Sequence, residues 1–165
     1  MIAEFVDDVC GVSMGRRRLL PGDTRARIEV RRLAEWFNEK FYSEVSGPFA
    51  TERIFKRLIP PADGGGTPDG SALRAAGVNL VYHLDYIRWL LTKEDWLAGE
   101  KMSLADLAAA AHLSIVDYLG QLSWNVQDRA KEWYARVKCR PSFRPLLEHT
   151  IPGLAPPPAY TQFDL

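Results

Sequence analysis

The chain has 165 residues, 47% of them hydrophobic and 25% charged, a composition typical of one folded domain with a sizeable core. Lysine and arginine together number 21, as do aspartate and glutamate, so the formal net charge is zero and no overall positive field favours nucleic acid or an anionic membrane as a partner. The uncharged run 107–116 is about half the length that a membrane-spanning helix needs. The first residues lack the basic start and apolar centre of a secretory signal, and Cys10 and Cys139 are too few for a disulfide framework. We therefore expect a reducing, cytoplasmic location.

The N-terminal half is predicted to be mostly helical. Residues 2–8 have the pattern of the end of an amphipathic helix, and the Pro-Gly-Asp sequence at 21–23 then interrupts the chain. From residue 24 to about 45, apolar residues recur three and four positions apart, which predicts a long amphipathic helix. Gly47 and Pro48 are expected to bend this helix, which resumes over 49–59 before the prolines at 60–61 end it. The apolar positions are Ile28, Leu33, Trp36, Phe37, Phe41 and Val45.

Two more long helices follow a Gly- and Pro-rich connection at 60–70, which we expect to be flexible and exposed. Apolar residues at alternating spacings of three and four predict a core-facing helix over 72–92. The next helix begins at Ser103, where a capping box is expected: Ser103 accepts from the Asp106 N–H, and the Asp106 carboxylate accepts from the Ser103 N–H. Residues 103–118 are apolar on nearly all sides, which predicts a helix surrounded by other helices.

The C-terminal part is predicted to contain shorter helices. Residues 127–138 have an amphipathic pattern, and 142–148 read as a short helix that Ser142 can cap. No segment has the sustained alternation of a β-strand, and no internal repeat is present. The sequence therefore predicts an all-α fold, a bundle of five or six helices around the 103–118 helix.

Four features, taken in this order, carry a family resemblance. They are a Trp-Leu-x-Gly turn at 96–99, the Ser103 capping box, a helix that ends Trp-Tyr-Ala-Arg-Val-Lys at 133–138, and Arg-Pro-Ser-Phe at 140–143. Together they resemble the C-terminal helical domain of glutathione transferases over about residues 20–150. The resemblance implies that 1–12 are a remnant of the last helix of an absent thioredoxin-like domain, that 13–150 form the helical domain, and that 151–165 form a Pro-rich tail. It also implies that Met1 marks a truncated or mis-started chain.

In the family that this sequence resembles, the thioredoxin-like domain binds glutathione and supplies the activating hydroxyl or thiol. The resemblance therefore implies no catalytic residue, no bound glutathione and no transferase activity for this chain alone. In a full-length protein, the helical domain would shape a hydrophobic substrate cleft and a homodimer interface built from helices 24–45 and 72–92. A second function stays open, because the tail resembles a non-catalytic bacterial branch that binds the tubulin-like division GTPase in cell division.

The candidate site residues belong to these two functions. For the cleft, the resemblance implies Phe41, Tyr42, Val45 and Phe49, although aromatic residues at helical spacing are also typical of a core. Ser103 and Asp106 are expected to be structural. Around the arginines, the interleaved glutamates favour a solvated helix face, and contact with an acidic partner is the alternative. The partner-binding candidates are Arg25, Arg31, Arg32, Tyr160 and Phe163.

His112 lies within the predicted central helix. We expect a hydrogen-bonded core histidine there, although an acid–base or ligand role stays open. No cysteine, aspartate or second histidine stands at a helical spacing that would complete a metal site with His112, so no metal is expected. The glycines at 64–66 lack the preceding strand and the following Gly-Lys of a phosphate-binding loop, and we interpret them as a linker.

Overall fold

The structure is a computed structural model that describes residues 2–124 and 128–161. Its first helix, α1, is followed by a helical stretch over 24–58, in which two π-helical segments, Trp36–Ser46 and Thr51–Phe55, join α2, α3 and α4. Within the described residues no strand forms, and the only pairings of that kind are isolated bridges between Trp96 and Gly99 and between Ile151 and Leu154. The α-helices are α1 (Ile2–Met14), α2 (Thr24–Glu35), α3 (Gly47–Ala50), α4 (Lys56–Leu58), α5 (Gly70–Leu91), α6 (Leu104–Tyr118), α7 (Arg129–Lys138) and α8 (Arg144–Glu148).

Helix α6 occupies the centre of the bundle, as its apolar circumference predicts. It packs against α2, the π segment Trp36–Ser46, α3 and α7. Its alanines are among the buried residues, and their small side chains let the neighbouring backbones approach closely. The predicted all-α bundle is therefore confirmed, and with 24–58 counted as one unit the described residues form six helices. The fully buried apolar residues of α6 are Ala105, Ala109, Ala110, Leu113 and Val116.

The Gly47–Pro48 pair does not end the helix that contains it. The preceding turns widen into π register, and the Gly47 N–H donates to the Tyr42 carbonyl, five residues back. A Cβ on residue 47 would lie 2.7 Å from that carbonyl oxygen, so only glycine fits. Pro48 stands in the first turn of α3, where its missing N–H costs little. The chain thus passes the predicted bend as one helical stretch.

Aspartate side chains cap three of the helices. Asp23 accepts from the Ala26 N–H at 2.8 Å at the start of α2, and Asp128 accepts from the Ala130 N–H at 2.9 Å at the start of α7. Asp69 accepts from the Ser71 N–H at 2.7 Å and starts α5. Position 127, the predicted start of α7, lies outside the described residues, and the helix itself begins at Arg129.

The 60–70 connection, expected to be flexible, is exposed but hydrogen-bonded to the helix before it. The Gly66 N–H donates to the Lys56 carbonyl at 2.9 Å, and the Asp69 N–H donates to the Glu52 carboxylate at 2.6 Å. These bonds hold the connection against the end of the 24–58 stretch.

The Asp7 carboxylate is one of the groups that fasten helix α1 to the bundle. Asp7 accepts from Arg18 Nε at 2.9 Å and from the Leu19 N–H at 3.0 Å, and the Leu19 carbonyl in turn accepts from the Leu104 N–H at 3.1 Å. The rest of α1 exposes large apolar side chains, among them Ile2, Phe5, Val9 and Val12. None of the helices in the described ranges is both long and apolar enough to cross a lipid bilayer.

Candidate functional site

The predicted capping box is present at the start of α6. The Ser103 N–H donates to Asp106 Oδ2 at 2.8 Å, and the Ser103 hydroxyl donates to the same oxygen at 2.9 Å. Asp106 Oδ1 accepts from the Leu97 N–H at 3.0 Å and from the Trp133 indole N–H at 2.8 Å. The fully buried carboxylate therefore joins the start of α6 to the preceding turn and to α7, two links that the local sequence pattern does not reveal.

The four cleft candidates do not share one environment. Phe41 and Val45 are fully buried and Phe49 is 2% exposed, all within the single hydrophobic core. Tyr42 is 51% exposed. Their spacing along the helix directs three of them at α6 and α5. These three are core residues, the alternative that helical spacing of aromatic residues also allowed. In this structure only Tyr42 offers its side chain to a ligand.

A polar cluster that was not predicted from the sequence lies beside Tyr42. Ser46 Oγ is 2.9 Å from His112 Nδ1, and His112 Nε2 is 3.3 Å from Asn38 Oδ1. The Tyr42 ring lies 5.9 Å from the His112 ring, centroid to centroid. Asn38, Tyr42 and Ser46 follow one another at intervals of four, which is the signal that could have grouped them.

The chemistry of this cluster follows from its hydrogen bonds. A neutral His112 donates from Nε2 to the Asn38 carbonyl oxygen and accepts the Ser46 hydroxyl proton at Nδ1. Burial lowers the pKa of the His112 imidazole below its ordinary value, which favours this neutral form. The Ser46 side chain is fully buried, so a substrate carbon cannot reach its hydroxyl, and the half-buried His112 edge can offer only a polar contact.

A second histidine joins α5 to the 24–58 stretch. His83 is fully buried, its Nδ1 accepts from the Trp36 indole N–H at 3.2 Å, and its Nε2 lies 2.9 Å from a Glu44 carboxylate oxygen. Lys40 pairs with the other oxygen of Glu44. Burial lowers the pKa of His83 although the Glu44 hydrogen bond opposes this, so the ring is neutral and structural at neutral pH.

The arginine candidates differ in how much of their charge is paired. Arg31 pairs with Glu4 of α1, and Arg32 pairs with Glu29 at 2.7 Å and donates to the Tyr86 hydroxyl at 3.0 Å. Arg25 is exposed and has no ion pair within the described residues. The predicted basic face is therefore largely neutralised by its own helices, and Arg25 keeps its charge available.

The C-terminal tail packs on the bundle. Tyr160, expected to be an exposed anchor, is only 3% exposed, because its ring sits edge-on to Tyr118 at 5.2 Å and the Lys138 ammonium lies 5.4 Å from its centroid. The Tyr118 hydroxyl donates to the Leu154 carbonyl and accepts from the Ile151 N–H at 2.8 Å. Burial raises the pKa of Tyr160 to about 12. Phe163, the other tail candidate, lies outside the described residues.

The outer face of α5 carries an apolar surface. Four side chains there are between 51% and 71% exposed, and Trp89 stacks on Tyr86 with ring centroids 5.9 Å apart. Exposed apolar side chains grouped on one helix face are candidates for contact with a partner. The four residues are Val78, Val81, Tyr82 and Trp89.

No residue cluster suited to a metal ion is found in 2–124 or 128–161. Cys10 is exposed and Cys139 half-buried, and neither forms a disulfide. The arrangement as described offers polar and apolar contacts rather than an accessible nucleophile with a base.

Comparison with known proteins identifies the fold. A family model for the C-terminal domain of glutathione S-transferase matches residues 76–141. The solved structure of a glutathione S-transferase from Sinorhizobium meliloti 1021 is 45% identical, with a TM-score of 0.94 over 99% of this chain and 71% of that chain. The structure of FzlA from C. crescentus is 44% identical, with a TM-score of 0.87 over 98% of this chain and 68% of that one.

A curated relative adds a cellular context. FtsZ-localized protein A from Caulobacter vibrioides is 49% identical over 146 residues, which are 88% of this chain and 62% of the relative. The chain thus spans somewhat less than two thirds of that relative's length. From the matched domain, the shared fold and these identities, the chain belongs to the glutathione S-transferase family.

Proposed function

We propose that this chain is the helical part of a non-catalytic glutathione transferase-like adaptor that associates with the division GTPase FtsZ in the bacterial cytoplasm. The observation that carries the proposal is the 49% identity to FtsZ-localized protein A over 88% of the chain. The neighbouring structure of FzlA, at 44% identity, supports the same assignment.

The site geometry supports a binding role over a catalytic one. The serine beside His112 is fully buried, and the tail and α5 instead present contact surfaces. Of the arginine candidates, Arg25 is the best placed to attract an acidic filament, since Arg31 and Arg32 are paired with glutamates. In this proposal the docked Tyr160 holds the tail in place, and Phe163 contacts the partner.

The apolar face of α1 supports the proposed domain organisation. Ile2 and Val12 are 84% and 75% exposed, which is unusual for side chains of this kind and is explained if further protein covers them. Residues 1–12 are then the last helix of a thioredoxin-like domain, 13–150 the helical domain and 151–165 the tail. Any glutathione in the full-length protein binds through that thioredoxin-like domain and not through this chain.

The outer face of α5 supports a homodimer. In this proposal its exposed aromatic and aliphatic side chains pair with the same face of a second copy, as in a dimer with twofold symmetry. Pairing two copies buries Val81, Tyr82 and Trp89, which are otherwise in water.

A glutathione-dependent transferase is the second candidate. The exposed Tyr42 beside the neutral His112 favours it, because an aromatic surface with one polar group is typical of a pocket for an apolar electrophile. In that case this domain shapes the substrate cleft, and the thioredoxin-like domain supplies the chemistry.

Co-pelleting with GTP-polymerised FtsZ tests the adaptor. We expect the chain to sediment with filaments, less so at high salt, and expect Arg25→Glu to weaken pelleting while the exposed control Arg74→Glu does not. Absence of co-pelleting at low salt would overturn the proposal. In the full-length protein, turnover of an electrophile with glutathione that is lost on replacing Tyr42 by alanine would establish the second candidate instead.

A further inference from the structure

A groove of about 590 Å³ lies at the end of the bundle where the tail crosses it. Arg53 and Arg57, near the end of the 24–58 stretch, form one wall. The tail residues 154–157, with sequence Leu-Ala-Pro-Pro, form the opposite wall, and residues 118–120 at the end of α6 form the floor. The groove is separate from the cluster around His112.

The charge of this groove is uncompensated. Among the described residues that line it, Arg53 and Arg57 are the charged ones. Arg57 donates one N–H to the Gly153 carbonyl at 3.1 Å, which orients its guanidinium, and Arg53 has no hydrogen bond or ion pair within 2–124 and 128–161. Arg18, Arg31 and Arg32 differ from Arg53, because each of them pairs with an acidic side chain. In this groove, therefore, two arginines face a concave surface without an acidic partner among the described residues.

The spacing of the two arginines indicates the shape of a ligand. Arg53 lies in the π segment Thr51–Phe55 and Arg57 lies four residues later in α4, where a rise like that of an α-helix separates them by roughly 6 Å along the axis. Alternate side chains of an extended peptide are separated by roughly 6.6 Å. Carboxylates at alternate positions of such a peptide therefore match Arg53 and Arg57 one to one. The facing prolines provide a rigid apolar wall, since their backbone dihedral φ is fixed by the ring.

We propose that this groove binds an extended acidic peptide segment of a partner protein, with two carboxylates at alternate positions paired with Arg53 and Arg57. Arginine pairs of this kind recognise acidic motifs through charge-assisted hydrogen bonds. Because the groove is already formed, binding loses little conformational entropy in the protein. Which protein supplies the peptide rests on the proposed function: there, the segment belongs to the FtsZ filament.

The test uses the 165-residue chain and two fluorescent probes of equal charge. One peptide repeats Glu-Ala three times, and the other carries three glutamates followed by three alanines. We expect the alternating peptide to bind more tightly, with an affinity that falls as salt is raised. Arg53→Gln and Arg57→Gln should each weaken it about fivefold. The double control Arg74→Gln and Arg129→Gln, which removes two exposed charges elsewhere, should leave it unchanged.

Because Arg57 also holds Gly153, Arg53→Gln is the decisive variant, and its thermal melt should match the wild type. Equal binding of the alternating peptide by wild type and Arg53→Gln would overturn the proposal, as would equal binding of the alternating and the block peptide by the wild type. Failure of the proposed function is distinguishable. Peptide binding without FtsZ co-pelleting would support the peptide groove and contradict the adaptor function. Co-pelleting that is unaffected by Arg53→Gln and Arg57→Gln would support the adaptor function and contradict the groove as its binding site.

Discussion

The indole N–H of Trp133 donates to Asp106 Oδ1 across 2.8 Å and joins α7 to the start of α6. Both residues are fully buried, and the same carboxylate also accepts from the backbone of Leu97 and of Ser103. One aspartate thus holds together three segments that are distant in sequence.

Replacing Asp106 by alanine should lower the free energy of unfolding by about 4 kcal/mol, because four buried donors lose their acceptor. For a chain of this length, that corresponds to a fall in Tm of roughly 8–16 °C. Asp23→Ala, which removes an exposed cap, should cost only about 1 kcal/mol. Thermal and urea melts measure both variants. Equal losses of stability would contradict the role of Asp106 in holding these segments together.

Two glycines in helical segments should respond oppositely to alanine. At Gly47 the new Cβ would lie 2.7 Å from the Tyr42 carbonyl oxygen, so Gly47→Ala should destabilise the fold by about 2 kcal/mol. At Gly77, in α5, a Cβ has no neighbour within 4 Å, and Gly77→Ala should stabilise by up to about 1 kcal/mol. Chemical denaturation compares the pair. A neutral Gly47→Ala would mean that the π register is not required.

Stability should fall as the solution is acidified below about pH 6.5. The pKa of His83 is lowered in the folded state by burial, so between that lowered value and the ordinary one the unfolded chain binds more protons, and protonation favours unfolding. One histidine contributes a slope of at most about 1.4 kcal/mol per pH unit. His83→Gln should flatten the dependence in part, since the pKa of His112 is shifted in the same direction. Urea melts from pH 5 to 8 measure the slope, and a similar change on replacing the exposed His149 would refute the assignment.

The docked tail should depend on Tyr160. Removing the ring in Tyr160→Ala takes away its contacts with Tyr118 and Lys138, at a cost of about 3 kcal/mol to docking. Amide hydrogen exchange over 151–161 should then accelerate, while α6 keeps its protection. Tyr42→Ala is the control, because that side chain is half in water. Unchanged tail exchange in Tyr160→Ala would show that the Tyr160 ring does not hold the segment.

The proposed dimer should dissociate when charge is placed on the outer face of α5. Val81→Glu buries a carboxylate against the apolar partner surface, so we expect a monomer in sedimentation velocity where the wild type is a dimer. Thr51→Glu, an exposed change on another helix, should leave the dimer intact. A wild-type monomer throughout the micromolar range would count against this interface.

Local signals predicted most of the helices. The spacing of Ser103 and Asp106 located the start of α6, and the apolar circumference of that helix placed it at the centre, because capping and periodicity act over a few residues. The same signals could not place side chains relative to other elements. Phe41 and Tyr42 are neighbours of one type, yet one is in the core and the other in water.

The sequence by itself determined the all-α bundle, its caps and its family resemblance, since each depends on short-range pattern. Only the tertiary structure decided which candidates are available to a partner. Tyr160 is buried because Tyr118 and Lys138, 42 and 22 positions earlier in the chain, meet it after folding. Arg31 is neutralised by Glu4 of α1, whereas Arg53 faces an open groove. Contacts between charges and rings that are distant in sequence produce no periodic sequence pattern. The exposure and charge of a binding surface therefore depend on the tertiary structure.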